Sequence, residues 1–283
     1  MELALGTVQF GLRYGIAGAA APVPLEEAKA ILRRASELGV GVVDTAAAYG
    51  CIEAQLAGMI SGLPLAVVSK LPPMPAGLTG MEVADWTEQH AHRAVRRLGA
   101  SLAALLFHRA EDLLDEKSEG AWAAAAGVAR EHGFALGVSA YGSADLLAVR
   151  RRHPVALAQL PGNAFDRSML QAAGPGCTLH LRSAFLQGLL LMPEAVASQR
   201  LPAAGAALKR WHAWCSEHDL SPLVAALGCA KSLPASHCVV GVDSLSHLEE
   251  VAAAWNQAPV INAPELGVND PDVIDPRIWK VSC

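Results

Sequence analysis

The sequence predicts a single-domain α/β protein, a closed (β/α)8 TIM barrel spanning residues 1–283. Three observations point there. Short β-branched runs alternate with longer stretches of helical spacing, and there are eight of the short runs. Those runs are apolar throughout rather than alternating, as parallel strands buried on both faces should be. The length of 283 residues, with 52% hydrophobic and 17% charged, suits one large core and excludes disorder.

The first strand is Leu3–Thr7. The following segment, GTVQFG, has outer glycines but Val8 at its middle position, and no helix is expected directly after it. That argues against an open dinucleotide-binding sheet, which opens on GxGxxG and a helix. Leu25–Leu38 places Ala28, Ile31, Leu32, Ala35 and Leu38 on one helical face, with Gly39 as a stop. Strand two is Val40–Thr45, followed by a helix over Ile52–Ile60. Strand three is Leu65–Ser69, then a helix over Val83–Leu98. Strand four is Leu102–Phe107, then a helix over Glu119–Glu131 ending near Gly133. Strand five is Ala135–Ser139, with Ser143 as expected N-cap of Ala144–Arg151. Strand six is Val155–Leu160, and Asp166 is expected to cap a short helix to Ala172. Strand seven is Thr178–Arg182, followed by helices over Ala206–His218 and Leu223–Cys229. Strand eight is His237–Val242, closed by a helix over Leu245–Trp255.

Composition removes several classes of function. The net charge is −5 and the longest basic run is Arg150, Arg151, Arg152, so nucleic acid is not an expected partner. No window is apolar enough for a membrane span, and the first ten residues do not read as a signal peptide, so a cytoplasmic location is expected. Cys51, Cys177, Cys215, Cys229, Cys238 and Cys283 show no CxxC spacing and read as reduced thiols, with Cys51 expected to be buried as a small hydrophobe. His90 and His92 lie two apart on a helix and face different directions, so no metal is expected. Trp86, Trp122, Trp211 and Trp255 read as packing in the outer helices, and Tyr14 either lines the mouth or covers the barrel bottom.

Catalytic side chains of such a barrel sit at the C-terminal ends of the strands. Strand two ends in Asp44, with Tyr49 five residues later in DTAAAYG; strand three ends in Lys70; strand four ends in His108. These four groups therefore converge on one rim. A phenol is a poor acid at neutral pH, but a nearby ammonium stabilises its phenolate, and Asp44 can hold Lys70 in place. Tyr49 would then give a proton to a carbonyl oxygen that His108 orients.

The segments GVVDTAAAYG, VVSK and LLFH resemble the Asp, Tyr, Lys and His tetrad of the aldo-keto reductases, and the resemblance runs over nearly the whole chain. It implies a hydride exchanged between a nicotinamide cofactor and a small-molecule carbonyl or alcohol, with Tyr49, Lys70, Asp44 and His108 as catalytic residues. It also places Gly6, Thr7, Val8 and Asp44 on the cofactor, with Ser139 in GVSAYG and Gln159 in AQLPGN meeting the carboxamide. Ala140 stands where the family usually has Asn. RSAFLQGLL resembles the strand-seven stretch and implies Arg182, Ser183, Phe185 and Gln187, with Arg182 in place of the usual stacking aromatic. VVGVDSLSHLEEV resembles the loop and helix that grip the adenosine, implying Gly241, Asp243, Ser244, Leu248 and Glu249. GTVQFG, RSAFLQGLLL and IDPRIW resemble a bacterial subgroup associated with sugar or polysaccharide metabolism. The family implies NADP(H), but Val242–His247 has no Lys or Arg and carries Asp243, which opens the site to NAD(H). Two other functions compete. One is a cofactor-binding regulatory or scaffold protein, as in potassium-channel β subunits, and the other is a lyase or isomerase using Lys70 as a Schiff base. Met74–Thr79 and Pro193–Pro202 are the expected lids, and the Pro- and Asp-rich tail from Asn262 either reaches the mouth or wraps the barrel.

Overall fold

A computed structural model describes residues 1–16 and 21–279. Cys283 lies outside the described residues. Eight parallel strands close on one another in chain order. They are β1 (Glu2–Gly6), β2 (Val42–Asp44), β3 (Ala66–Lys70), β4 (Leu102–Phe107), β5 (Ala135–Ser139), β6 (Leu157–Pro161), β7 (Thr178–Arg182) and β8 (His237–Gly241). The helices are α1 (Val8–Gly11), α2 (Leu25–Glu37), α3 (Ile52–Met59), α4 (Gly80–Leu98), α5 (Ser118–His132), α6 (Ser143–Arg150), α7 (Glu194–Arg200), α8 (Gly205–Glu217), α9 (Pro222–Lys231), α10 (Leu245–Gln257) and α11 (Pro271–Ile274). β1 closes the barrel on β8 with Gly6 opposite Gly241 and pairs with β2 with Gly6 opposite Asp44. This register brings the ends of β8, β1 and β2 to one level of the rim.

The main core lies between strands and helices. Ile31, Leu32 and Ala35 of α2 and Leu98 of α4 bury one face against strand residues such as Leu5, Val43 and Leu105. A second cluster joins the loop after β7 to α7, α8, α9 and the tail. Trp211 is fully buried there, and its indole N–H donates to the Leu190 carbonyl at 2.9 Å.

The structure corrects several local expectations. A one-turn helix, α1, does follow β1, too short for its pattern to register. Ser143 is the first residue of α6 rather than its cap; its hydroxyl lies 3.2 Å from Gln171 Oε1, and Gly142 takes the cap position. Asp166 Oδ1 accepts from the Ser168 N–H at 3.0 Å, ahead of a 3-10 turn over Ser168–Ala172. Cys51 is exposed, because it precedes α3 at the outer rim. All five described cysteines are free. Pro193–Pro202, an expected lid, is mostly the helix α7. No described helix is long and apolar enough to cross a membrane.

Candidate active site

Strand geometry delivers the first group of residues. Asp44 and Lys70 end adjacent strands, so their side chains meet inside the rim. Lys70 Nζ donates to Asp44 Oδ1 at 2.8 Å, to Oδ2 at 2.7 Å and to the Thr45 carbonyl at 3.0 Å. That uses all three ammonium hydrogens. Asp44 Oδ1 also accepts from Gln159 Nε2 at 2.7 Å, across the barrel from β6. Thr7 Oγ1 sits 3.1 Å from the Asp44 carbonyl and 2.9 Å from Thr45 Oγ1, tying β1 to the same cluster. Each of these residues is buried, and each side chain has a hydrogen-bond partner, which is the condition for keeping charge inside a barrel.

Tyr49 lies beyond the end of β2, on the turn that leads into α3. Its backbone packs against Gly11, where a Cβ would overlap the Tyr49 carbonyl oxygen. Glycine at 11 is therefore what lets α1 and this turn approach. The Tyr49 ring lies 5.4 Å from Lys70 Nζ and meets the His108 ring edge-on at 6.0 Å between centroids.

The electrostatics differ from the sequence expectation. Tyr49 is not made more acidic by Lys70: burial raises its pKa first, the Asp44 carboxylate raises it further, and Arg182 opposes them. The physical reason is that Asp44 already neutralises Lys70. Tyr49 is thus a protonated phenol at neutral pH. Burial also lowers the Lys70 pKa, with Asp44 opposing. His108 is pushed down to about 3 by burial and then by Lys70 and Arg182, so its imidazole is neutral. Its Nδ1 is buried with no partner among the described residues, a hydrogen-bonding group left over.

A cavity of about 430 Å³ opens over this cluster. Of the residues singled out in the sequence, Gly6, Thr7, Val8, Asp44, Tyr49, Gln159, Arg182, Ser183, Phe185, Gln187, Gly241 and Asp243 line it. Lys70 adjoins it through Asp44, and His108 through Tyr49. Ser139 is buried at the end of β5 with Gln159 as its register partner. Ser244 caps α10 by accepting from the His247 N–H at 3.1 Å. Two side chains turn elsewhere. Leu248 is fully buried in the helix–barrel core, and Glu249 points outward to pair with Arg34 at 3.0 Å.

Further residues complete the lining. Gln9 lies in α1, just after β1, and its buried Oε1 has no partner among the described residues. Its amide packs against Gly241, where any Cβ would collide with it. Tyr14 lines the cavity, which decides between its two readings. Leu191, Met192 and Pro193 form part of the wall. Ser183, Leu186 and Gln187 all have positive φ (64°, 48° and 55°), so the loop after β7 turns back over the cavity in a conformation non-glycine residues rarely adopt. Arg182 stacks on Tyr141 with its guanidinium carbon 4.2 Å from the ring centroid, and Arg277 of the tail covers the same ring at 3.8 Å. The tail therefore reaches the rim, where Arg277 also pairs with Asp275 at 2.7 Å and Glu111 at 3.4 Å. Met74, in the other expected lid, is held by Arg109 and Asp112.

His90 and His92 do not converge: His90 stacks on Trp86 and bonds the Trp86 carbonyl, while His92 pairs with Glu88. Among the described residues no cluster of His, Cys, Asp and Glu could hold a metal. The cavity does suit a dinucleotide cofactor. It runs from the β1 end to the start of α10, and the unpartnered Gln9 amide and the β7 loop backbone offer hydrogen bonds along it.

Comparison with solved structures supports the fold. A Pseudomonas aeruginosa protein assigned to the aldo-keto reductases is 24% identical, with a TM-score of 0.66 and 90% of each chain covered. An aldo-keto reductase from Bacillus halodurans, in its holo form, is 17% identical with a TM-score of 0.72, covering 94% of this chain and 89% of that one. A glycerol dehydrogenase from Gluconobacter oxydans is 16% identical with a TM-score of 0.65, covering 92% of this chain and 93% of that one. A search of curated proteins finds no match. The model of the Aldo/keto reductase family matches residues 2–261. The chain thus belongs to the aldo/keto reductase family, whose members are NAD(P)H-dependent oxidoreductases of carbonyl compounds.

Proposed function

We propose that this protein reduces an aldehyde or ketone, a sugar among the candidates, with Tyr49 as the proton donor and a nicotinamide dinucleotide bound along the cavity. The observation that carries the reading is the convergence of Asp44, Lys70, Tyr49 and His108 on one mouth. A bound nicotinamide dinucleotide would supply the hydride that reaches the carbonyl carbon.

The chain's residues then have separate tasks. Tyr49, kept protonated by burial, presents a phenolic proton to the carbonyl oxygen. Negative charge develops on the phenolate as the proton leaves, and the Lys70 ammonium, 5.4 Å from the ring, opposes that charge. Asp44 holds Lys70 in place, and Gln159 and Thr7 hold Asp44. The neutral His108 imidazole orients the same carbonyl oxygen through an N–H. Full engagement of Lys70 by Asp44 and Thr45 disfavours a Schiff base, which needs a free amine. Gly6, Val8, Gln9, Arg182, Ser183, Phe185, Gln187 and Gly241 would hold the dinucleotide, with Ser139 and Gln159 toward its carboxamide end.

The test is carbonyl-dependent oxidation of the reduced dinucleotide across a panel of aldehydes, ketones and open-chain sugars. Saturable turnover with some members is expected. Tight dinucleotide binding without turnover on any carbonyl would favour the scaffold reading instead.

A further inference from the structure

The β8–α10 end of the cavity, where the dinucleotide reading puts the adenosine, carries a feature beyond the reaction itself. The wall continues from Gly241 through Asp243 to His247, where α10 begins. A helix N-terminus with free N–H groups attracts phosphate. Here that position is already taken. Glu27, in the first turn of α2, reaches across and accepts from the Leu245 N–H at 2.8 Å. Ser244 Oγ accepts from the His247 N–H at 3.1 Å.

The charges around this helix start are mostly negative or cancelled. Asp243 precedes it. Arg34, which extends from α2 toward α10, is held by Glu249 at 3.0 Å and Glu37 at 3.1 Å. Lys29 on the same helix is paired with Glu26 at 2.8 Å. His247 Nδ1 accepts from the Asp243 N–H at 3.4 Å.

NADP(H) differs from NAD(H) by a phosphate on the adenosine 2′-oxygen. A dianion placed at this helix start would meet the Glu27 and Asp243 carboxylates and would find the Leu245 N–H occupied. A 2′-hydroxyl can instead donate a hydrogen bond to a carboxylate. We propose that Glu27, together with Asp243, makes this protein select NAD(H) over NADP(H). The proposal rests on the dinucleotide reading above. It assigns a specificity role to Glu27, a residue of α2 that is remote in sequence from the β8–α10 segment.

The experiment is equilibrium titration of the intact protein with NADH and, separately, NADPH, followed by tryptophan fluorescence. The titration is repeated with Glu27→Gln, which keeps an acceptor for the Leu245 N–H but removes the charge. The unsubstituted protein is expected to bind NADH more tightly by about tenfold or more, the scale of one close charge repulsion at a protein surface. Glu27→Gln should narrow that ratio by roughly threefold or more, chiefly through tighter NADPH binding, and added salt should narrow it in the unsubstituted protein. Equal or tighter binding of NADPH to the unsubstituted protein would overturn the selectivity. A ratio unmoved by Glu27→Gln would overturn the role of Glu27. Saturable binding of neither dinucleotide would overturn the cofactor reading and this inference with it.

Discussion

On the β2–β4 side of the mouth, the working groups are side chains at strand ends, and they hold one another. Asp44, Lys70 and Thr45 form a buried network, which Gln159 joins across the barrel from β6. On the β7–β8 side, the cavity is shaped by backbone instead. Ser183, Leu186 and Gln187 turn the loop back, Gly241 makes room for Gln9, and the start of α10 is closed by a carboxylate from α2. The first side places charge where a proton moves. The second shapes a trough for a long ligand. Substitutions on the first side should therefore disturb chemistry and folding, and those on the second should disturb binding.

The largest loss of stability should follow Lys70→Met. It leaves the Asp44 carboxylate buried without its cation, at a cost of about 3–5 kcal/mol. Chemical denaturation would show the midpoint falling at an unchanged slope. A loss under about 1 kcal/mol would mean that water or relaxation replaces the ion pair, and that the network is looser than the geometry describes.

Gly11→Ala should act more locally. The added methyl group meets the Tyr49 carbonyl, so either α1 or the Tyr49 turn must move, with a cost of about 1–3 kcal/mol. Because Tyr49 is displaced, turnover should fall further than stability alone explains. Normal turnover would show that the Tyr49 turn yields without moving the phenol.

Acid sensitivity gives a gentler test. His108 is held down to about 3 and His180 to about 4, both first by burial, against the ordinary 6.5. The unfolded chain therefore takes up protons below pH 6.5 that these two folded groups refuse. Their stabilisation is complete above pH 6.5 and is lost as pH falls toward 4 and 3, by at most about 1.4 kcal/mol per pH unit for each group. Thermal midpoints should fall through this window, and His108→Gln should remove part of the slope. An unchanged slope in that variant would show that His108 is protonated in the folded protein.

The same contrast explains what could be read from the sequence. Asp44, Lys70 and His108 each close an apolar run, so the strand pattern itself delivers them to the rim. Arg182 and Gln159 came instead from the resemblance of RSAFLQGLL and AQLPGN to the family's strand-seven and strand-six stretches. The β7 loop was only partly so, because positive φ at Ser183 and Gln187 leaves no mark in residues other than glycine. Gln9 sits in a helix of one turn, too short for any periodicity. Glu27 could not be found from spacing, since its contact with Leu245 spans 218 residues and depends on α2 packing beside α10. The expected acidification of Tyr49 failed for a related reason: the full use of the Lys70 hydrogens by Asp44 and Thr45 is visible only in three dimensions.

The central claim is that Tyr49 acts in the chemical step while the dinucleotide is held elsewhere. It is tested most directly by measuring turnover and dinucleotide Kd on the same preparation of Tyr49→Phe. The account predicts turnover lower by about 10²–10⁴-fold with Kd nearly unchanged. Turnover close to that of the unsubstituted protein would contradict it and move the proton donor to another group at the mouth.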